Sequence, residues 1–168
     1  MINNAIVKSQ KDEIIVLADV SGSMSERDAG EGVQRIVAMK GALEALPPSV
    51  RIIAFNDTTV EVRTAREIPR PDGTTDLEGA IIAASHYQPV RTIIISDGEP
   101  NDEAGAIQAL DRLSGVVDVI YCGSNSNTST RKFLASLARQ GMGSYYETGD
   151  QLDVSKQLPA VVKGLLGA

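Results

Sequence analysis

The sequence predicts an α/β fold: an open, mostly parallel, doubly wound sheet of about six strands, with one short antiparallel edge strand and helices on both faces. Three observations carry this. The runs Ile14-Ile15-Val16-Leu17-Ala18 and Thr92-Ile93-Ile94-Ile95-Ser96 lack polar alternation, the pattern of strands buried on both faces. Strand-like and helix-like segments alternate along the chain, which calls for parallel strands joined by crossover helices. Both apolar runs also empty into turns that open on an aspartate, Asp19-Val20-Ser21-Gly22-Ser23 and Asp97-Gly98-Glu99-Pro100. Polar turns at the carboxyl ends of parallel strands are where such sheets form their ligand crevices.

The first strand is expected over 13–19. A helix is expected over 31–46, with Val33, Ile36, Val37, Leu43 and Leu46 on one face and Pro47-Pro48 as the stop. A strand over 51–55 turns at Asn56-Asp57 into an alternating edge strand over 59–62. The Pro- and Gly-bearing loop 68–73 leads into a turn at Thr74-Thr75, and Asp76 is placed to cap a helix over 77–87. After the strand at 92–96, Asn101 or Asp102 caps a helix over 103–113. A strand over 117–122, a Ser/Asn/Thr-rich turn over 123–129 and a helix over 130–140 follow, ended by Gly141-Met142-Gly143. A short last strand at 144–147 and a helix over 152–166 complete a single domain, 1–168, without repeat, low-complexity segment or linker.

Composition narrows the function. Hydrophobic residues at 42% and charged residues at 23% are those of a soluble globular domain, and the absence of Trp leaves an aliphatic core. The net charge of −6 argues against binding to nucleic acid or an anionic membrane surface. A single cysteine, Cys122, excludes an internal disulfide and reads as a buried strand thiol. The start, Met1-Ile2-Asn3-Asn4-Ala5, shows no secretory pattern, and no apolar stretch is long enough to span a bilayer. The expected location is cytoplasmic.

Three turns thus offer oxygen ligands: Asp19, Ser21 and Ser23 in the first, Thr74 or Thr75 in the second, Asp97 in the third. Carboxylate and hydroxyl oxygens without imidazole or thiolate suit a hard cation such as Mg2+. The plainer reading of the first turn is a loop with serine caps. Against it stands the order of the three motifs. D-x-S-x-S, a Thr in a Gly-containing turn ahead of a helix, and an apolar strand ending in S/T-D-G together resemble the von Willebrand factor A (vWA, integrin I-like) family and its metal-ion-dependent adhesion site. D-x-S-x-S alone is weak; the ordered set is specific, and the resemblance covers essentially the whole chain.

The resemblance implies a Rossmann-like vWA fold and a site for Mg2+ or Mn2+ built from Asp19, Ser21, Ser23, Thr75 and Asp97. Thr75-Asp76-Leu77-Glu78-Gly79-Ala80-Ile81 fits the family's second motif, with Thr74 in place of its usual second Gly. In the family the hydroxyls bind the ion directly, and the aspartates often act through water. The ion then keeps a position for an Asp or Glu of a partner protein. The implied role is a metal-dependent protein-protein interaction module, an intracellular adaptor or scaffold subunit, in some members beside an AAA+ ATPase. A neighbouring copy's carboxylate can fill the same position and give homo-oligomers. Movement of the C-terminal helix couples metal and partner in related domains.

Two other classes compete. A Mg2+-dependent, phosphatase-like hydrolase of the aspartyl-phosphate type wants an Asp two residues after the first, where this chain has Ser21, and a phosphate-binding Lys, and none stands out. No G-x-x-x-x-G-K-[ST] loop is present either. The expectation is therefore not an enzyme. A purely structural assembly subunit is the other alternative. His86, the only histidine, reads as a surface residue. Glu26, Arg27, Asp28, Glu99, Asn101 and Asp102 rim the site and are candidate partner contacts.

Overall fold

The computed structural model describes residues 13–148 and 154–167. Six strands form one sheet in the order β3-β2-β1-β4-β5-β6. They are β1 (Ile14–Asp19), β2 (Val50–Phe55), β3 (Thr59–Val62), β4 (Arg91–Ser96), β5 (Val116–Tyr121) and β6 (Met142–Glu147). All neighbours pair in parallel except β2 and β3, which form the antiparallel edge that the alternating pattern predicts. Five α-helices cover the sheet: α1 (Arg35–Leu43), α2 (Leu77–Ser85), α3 (Glu103–Ala109), α4 (Thr128–Gln140) and α5 (Val154–Gly167).

The unalternated apolar strands do what their composition requires. Val16, Ala18, Ile93 and Ile95 point to a core shared with α1 and α5. Ile15, Leu17 and Ile94 point to a second core under α2, α3 and α4. Successive side chains leave opposite faces, so a strand covered on both sides needs apolar residues at every position. In this order the chain leaves β1 toward β2 on one side and later returns to β4 on the other. The carboxyl ends of β1 and β4 therefore stand side by side at the topological switch point.

Several boundaries move. Helix α1 begins at Arg35 and not at residue 31, because Gly30, Glu31 and Gly32 all take positive φ (104°, 49° and 74°), which no right-handed helix accommodates. Val33 consequently precedes the helix, and Val37, placed by sequence on the core face, is 53% exposed. The core face consists of Ile36, Met39 and Leu43, with the guanidinium-bearing Arg35 among them. Residues Gly22–Ser25 form a 3-10 turn directly after β1. Helix α3 ends early and continues as a 3-10 turn over Leu110–Arg112. Helix α4 starts two residues early, capped by Asn127, whose side chain accepts from Thr130 N–H. Strand β6 starts at Met142, which itself takes φ 58°. The expected first turn of the last helix, 152–153, lies outside the described residues. Among the described residues no helix is long and apolar enough to cross a membrane.

Candidate metal centre

Asp19 is the last residue of β1, and Ser96-Asp97 closes the neighbouring β4. Backbone hydrogen bonds lace the intervening loops to them. Gly22 N–H donates to the Gly73 carbonyl (3.0 Å), and Asp72 N–H donates to the Val20 carbonyl (2.9 Å), which fastens the first turn to the second. Gly73 makes this approach with φ +70°, and a β-carbon there would stand 2.1 Å from Asp57 Oδ2, so the position is held to glycine. Thr75 is then held by the third turn. Asn101 Oδ1 accepts from Thr75 N–H (3.1 Å), and Asn101 N–H donates to the Thr75 carbonyl (2.8 Å).

The two threonines part company here. Thr75 is buried and lines the crevice beside Asp97. Thr74 is exposed, and its hydroxyl donates to Asp57 while accepting from Asn101 Nδ2 (2.9 Å). A methyl group added at Gly98 would lie 3.5 Å from Ser23 Oγ and 3.6 Å from Thr75 Oγ1, so those two hydroxyls flank one small space. Ser21 Oγ is 3.2 Å from Ser23 Oγ. The structure thus brings Ser21, Ser23, Thr75 and Asp97 together around Gly98, with Asp19 directly behind.

Both carboxylates are held by protein groups. Asp19 Oδ1 accepts from Ser21 N–H (2.8 Å) and Oδ2 from the Ser96 hydroxyl (2.6 Å). Asp97 Oδ1 accepts from the Ser23 hydroxyl (2.7 Å) and Oδ2 from Arg35 Nη1 (2.7 Å). Burial, and next the negative charge of Asp97, push the Asp19 carboxyl up to about 6. Burial alone works against a charged Arg35. The hydrogen bonds and charges of Asp28 and Asp97 more than offset it and hold the guanidinium above its ordinary range. The same burial raises the thiol of Cys122, which packs on Met24 beneath the first turn with the sulfurs 4.0 Å apart.

The donor set fits a small hard cation. Ligands at about 2.0–2.1 Å in an octahedron stand about 3 Å apart along its edges, close to the 3.2 Å between Ser21 Oγ and Ser23 Oγ. Ser23 spends its proton on Asp97, so Ser21 donates within the Ser21–Ser23 pair and Ser23 keeps one lone pair for an ion. Two buried carboxylates within one hydrogen-bond network supply the charge. Among the described residues no group of three or more His, Cys, Asp or Glu is placed to hold a metal. The space opens into a crevice of about 500 Å3 bounded by Ser23, Thr75, Asp97, Arg35, Tyr121 and Asn127 among others.

Two residues prove central to this geometry: Arg35, which the sequence does not single out, and Asn101, expected only as a helix cap or a rim contact. Arg35 reaches the site from the start of α1, and Asn101 clamps the Thr74-Thr75 turn. Of Asn101 and Asp102, either of which the sequence offered as the cap, Asp102 alone caps α3 by accepting from Gly105 N–H. Glu26 and Glu99 line the crevice, and Asp28 pairs with Arg35. His86 is exposed at the end of α2.

Comparison with known proteins supports the fold. No family model matches the sequence, and no curated protein matches it. Solved structures do. The SpRpn10 VWA domain aligns over 88% of this chain and 93% of its own, with a TM-score of 0.64 and 13% identity. An aerotolerance-related membrane protein from Bacteroides fragilis aligns over 92% of this chain and 100% of its own (TM-score 0.60, 16% identity). Manganese-loaded TRAP protein of Plasmodium vivax aligns over 89% of this chain and 74% of its own (TM-score 0.58, 17% identity). With the six-stranded sheet and its single antiparallel strand, this is a vWA-like α/β fold.

Proposed function

We propose that this protein is a metal-dependent protein-protein interaction module, in which Ser21, Ser23 and Thr75 hold Mg2+ or Mn2+ and an acidic side chain of a partner protein completes the ion's shell. Asp19 and Asp97 stand behind the hydroxyls and supply charge. The observation that carries the reading is the convergence of the Ser23 and Thr75 hydroxyls on the open space at Gly98, each within 3.6 Å of one point. The bound ion would supply a Lewis-acidic position facing the crevice. That one structural neighbour is manganese-loaded agrees with such a site on this fold.

A binding role suits these carboxylates better than a nucleophilic one. Each oxygen of Asp19 and Asp97 already accepts a hydrogen bond from the protein, which lowers its reactivity and fixes its direction. The crevice beside the ion offers Ser124, Ser126 and Asn127 for recognition, polar groups that would position a partner chain without chemistry. An adaptor or scaffold subunit in the cytoplasm is the setting this reading implies, with an AAA+ ATPase or another assembly subunit, or a second copy of this chain, supplying the carboxylate.

Calorimetric titration with Mg2+ and Mn2+, paired with affinity capture from source-cell lysate, tests the reading. Wild type in Mg2+ should bind one ion and retain a protein that EDTA and Asp19→Ala both release. No ion uptake, or the same proteins retained in every lane, refutes it.

A further inference from the structure

We propose that Arg35 is a positioning residue that keeps Asp97 out of direct contact with the cation, weakening the ion's hold on this protein and strengthening the ion's hold on a partner's carboxylate. The proposal rests on the metal-binding reading above and deepens it.

Arg35 is an arginine on an otherwise apolar helix face and is only 7% exposed. Its Nε donates to Asp28 Oδ1 at 2.7 Å, and Nη2 donates to Asp28 Oδ2. Its Nη1 donates to Asp97 Oδ2 at 2.7 Å. The side chain of Asp28 is 48% exposed, whereas that of Asp97 is fully buried. The planar fork is therefore anchored at the surface by Asp28 and presents its remaining arm to Asp97 in the interior. With Oδ2 held by Arg35 and Oδ1 held by Ser23, Asp97 cannot move into an ion's shell without leaving a buried guanidinium short of a partner.

The charges give the consequence. Asp19 and Asp97 together would neutralise a divalent cation. Arg35, buried beside them, restores one positive charge to the interior of the site. Asp28, half in water, is screened and returns little of it. An ion in this surrounding keeps a net attraction for an anion at its open position, and it is held less tightly by the chain. Arg35 thus shifts binding free energy from the metal step to the partner step.

Mn2+ serves as the probe, with acetate as the simplest carboxylate. Metal affinity is read by calorimetry on the full chain, and acetate binding by its displacement of metal-bound water in proton relaxation. Arg35→Gln should bind Mn2+ about tenfold more tightly than wild type, because a neighbouring like charge is gone. Its Mn2+ complex should bind acetate more weakly by a similar factor. The double variant Arg35→Gln/Asp28→Asn has the net charge of wild type and leaves no unpaired Asp28, and it should show the same ordering. A folded variant that binds Mn2+ as wild type does or more weakly overturns the proposal, since a merely structural arginine can only weaken the site when removed. Loss of folding in both variants overturns it as well, because the guanidinium is then scaffold. Wild type failing to bind Mn2+ refutes the metal reading itself, a result distinct from the others.

Discussion

Replacing Asp19 by Asn should stabilise the metal-free protein while abolishing its response to metal. Asp19 has no exposed surface, and its carboxyl is raised from 3.8 to about 6, by burial first and by Asp97 second. A displacement of about two units is worth about 3 kcal/mol once the group is ionised. The folded carboxyl holds its proton more tightly than the unfolded one. Its contribution to stability is therefore intact below about pH 4 and is lost as pH rises through about 6. Asparagine sheds the charge yet can still accept from Ser21 N–H through its oxygen, and its amide can donate to the Ser96 hydroxyl. Exchanging charge-assisted for neutral hydrogen bonds takes back about 1 kcal/mol. The net gain is about 2 kcal/mol at about pH 8, or roughly 4–8 °C in melting temperature for a chain of this size. Circular-dichroism melts in EDTA at about pH 5 and about pH 8, repeated with Mg2+, read this directly. Asp19→Asn should melt above wild type at the higher pH, the gap should narrow at the lower, and Mg2+ should raise only wild type. A variant that melts below wild type in EDTA at about pH 8 refutes the account of a strained, buried carboxylate.

Thr75→Ala should weaken Mg2+ binding about 10–100-fold in calorimetry, while Thr74→Ala, whose hydroxyl faces Asp57 and Asn101, should change it little. Equal losses would place the wrong threonine at the ion. Asn101→Ala removes the side-chain bonds to Thr75 N–H and Thr74 Oγ1, so it should lower stability by about 1–2 kcal/mol in urea and weaken Mg2+ about tenfold. Unchanged metal affinity in that variant would show that the turn holds itself. Gly98→Val should leave melting in EDTA within about 0.5 kcal/mol, because a β-carbon there meets only ordinary contacts at 3.5 and 3.6 Å. Its branches enter the space between Ser23 and Thr75, and Mg2+ uptake by calorimetry should be lost; retained uptake would move the ion elsewhere.

The sheet and the three oxygen-bearing turns were legible because both depend on short, local patterns. Ile14–Asp19 is apolar at every interior position and Arg91–Ser96 carries Ile93-Ile94-Ile95 behind a buried Thr92, unalternated runs that suit a strand covered on both faces. The helix start before Arg35 was not legible. A period-3.6 pattern extends naturally back over Val33, and only the backbone reveals that Gly30, Glu31 and Gly32 all sit at positive φ. Val37 lies beside the face defined by Ile36, Met39 and Leu43 and is exposed. Arg35 carried a signal that periodicity holds: a charge at the position that shares a face with Met39 and Leu43, where a buried arginine demands a carboxylate partner. Its partner Asp97 lies 62 residues away, beyond any local pattern. Asn101 was legible as a helix cap or a rim residue, but its clamp on the Thr75 turn was not. Asn and Asp ahead of a helix are interchangeable as caps, and only the fold determines that Asp102 takes the helix while Asn101 takes the Thr75 turn.

The hydrogen-bond directions around the two carboxylates bear on why a site with so few charged ligands would serve recognition. Ser23 donates to Asp97, and Ser96 donates to Asp19, so the hydroxyl protons run backward into the molecule. Lone pairs are left at the front. Were the carboxylates themselves at the front, a divalent ion would be neutralised by its own protein and have little affinity for another anion. Set behind hydroxyls, and with Asp97 already engaged by Arg35, they would hold an ion in place without quenching it. The remaining attraction would be directed into the crevice, toward an incoming carboxylate. Partner binding would then be conditional on metal, because without the cation the two carboxylates behind the hydroxyls offer an incoming carboxylate only repulsion.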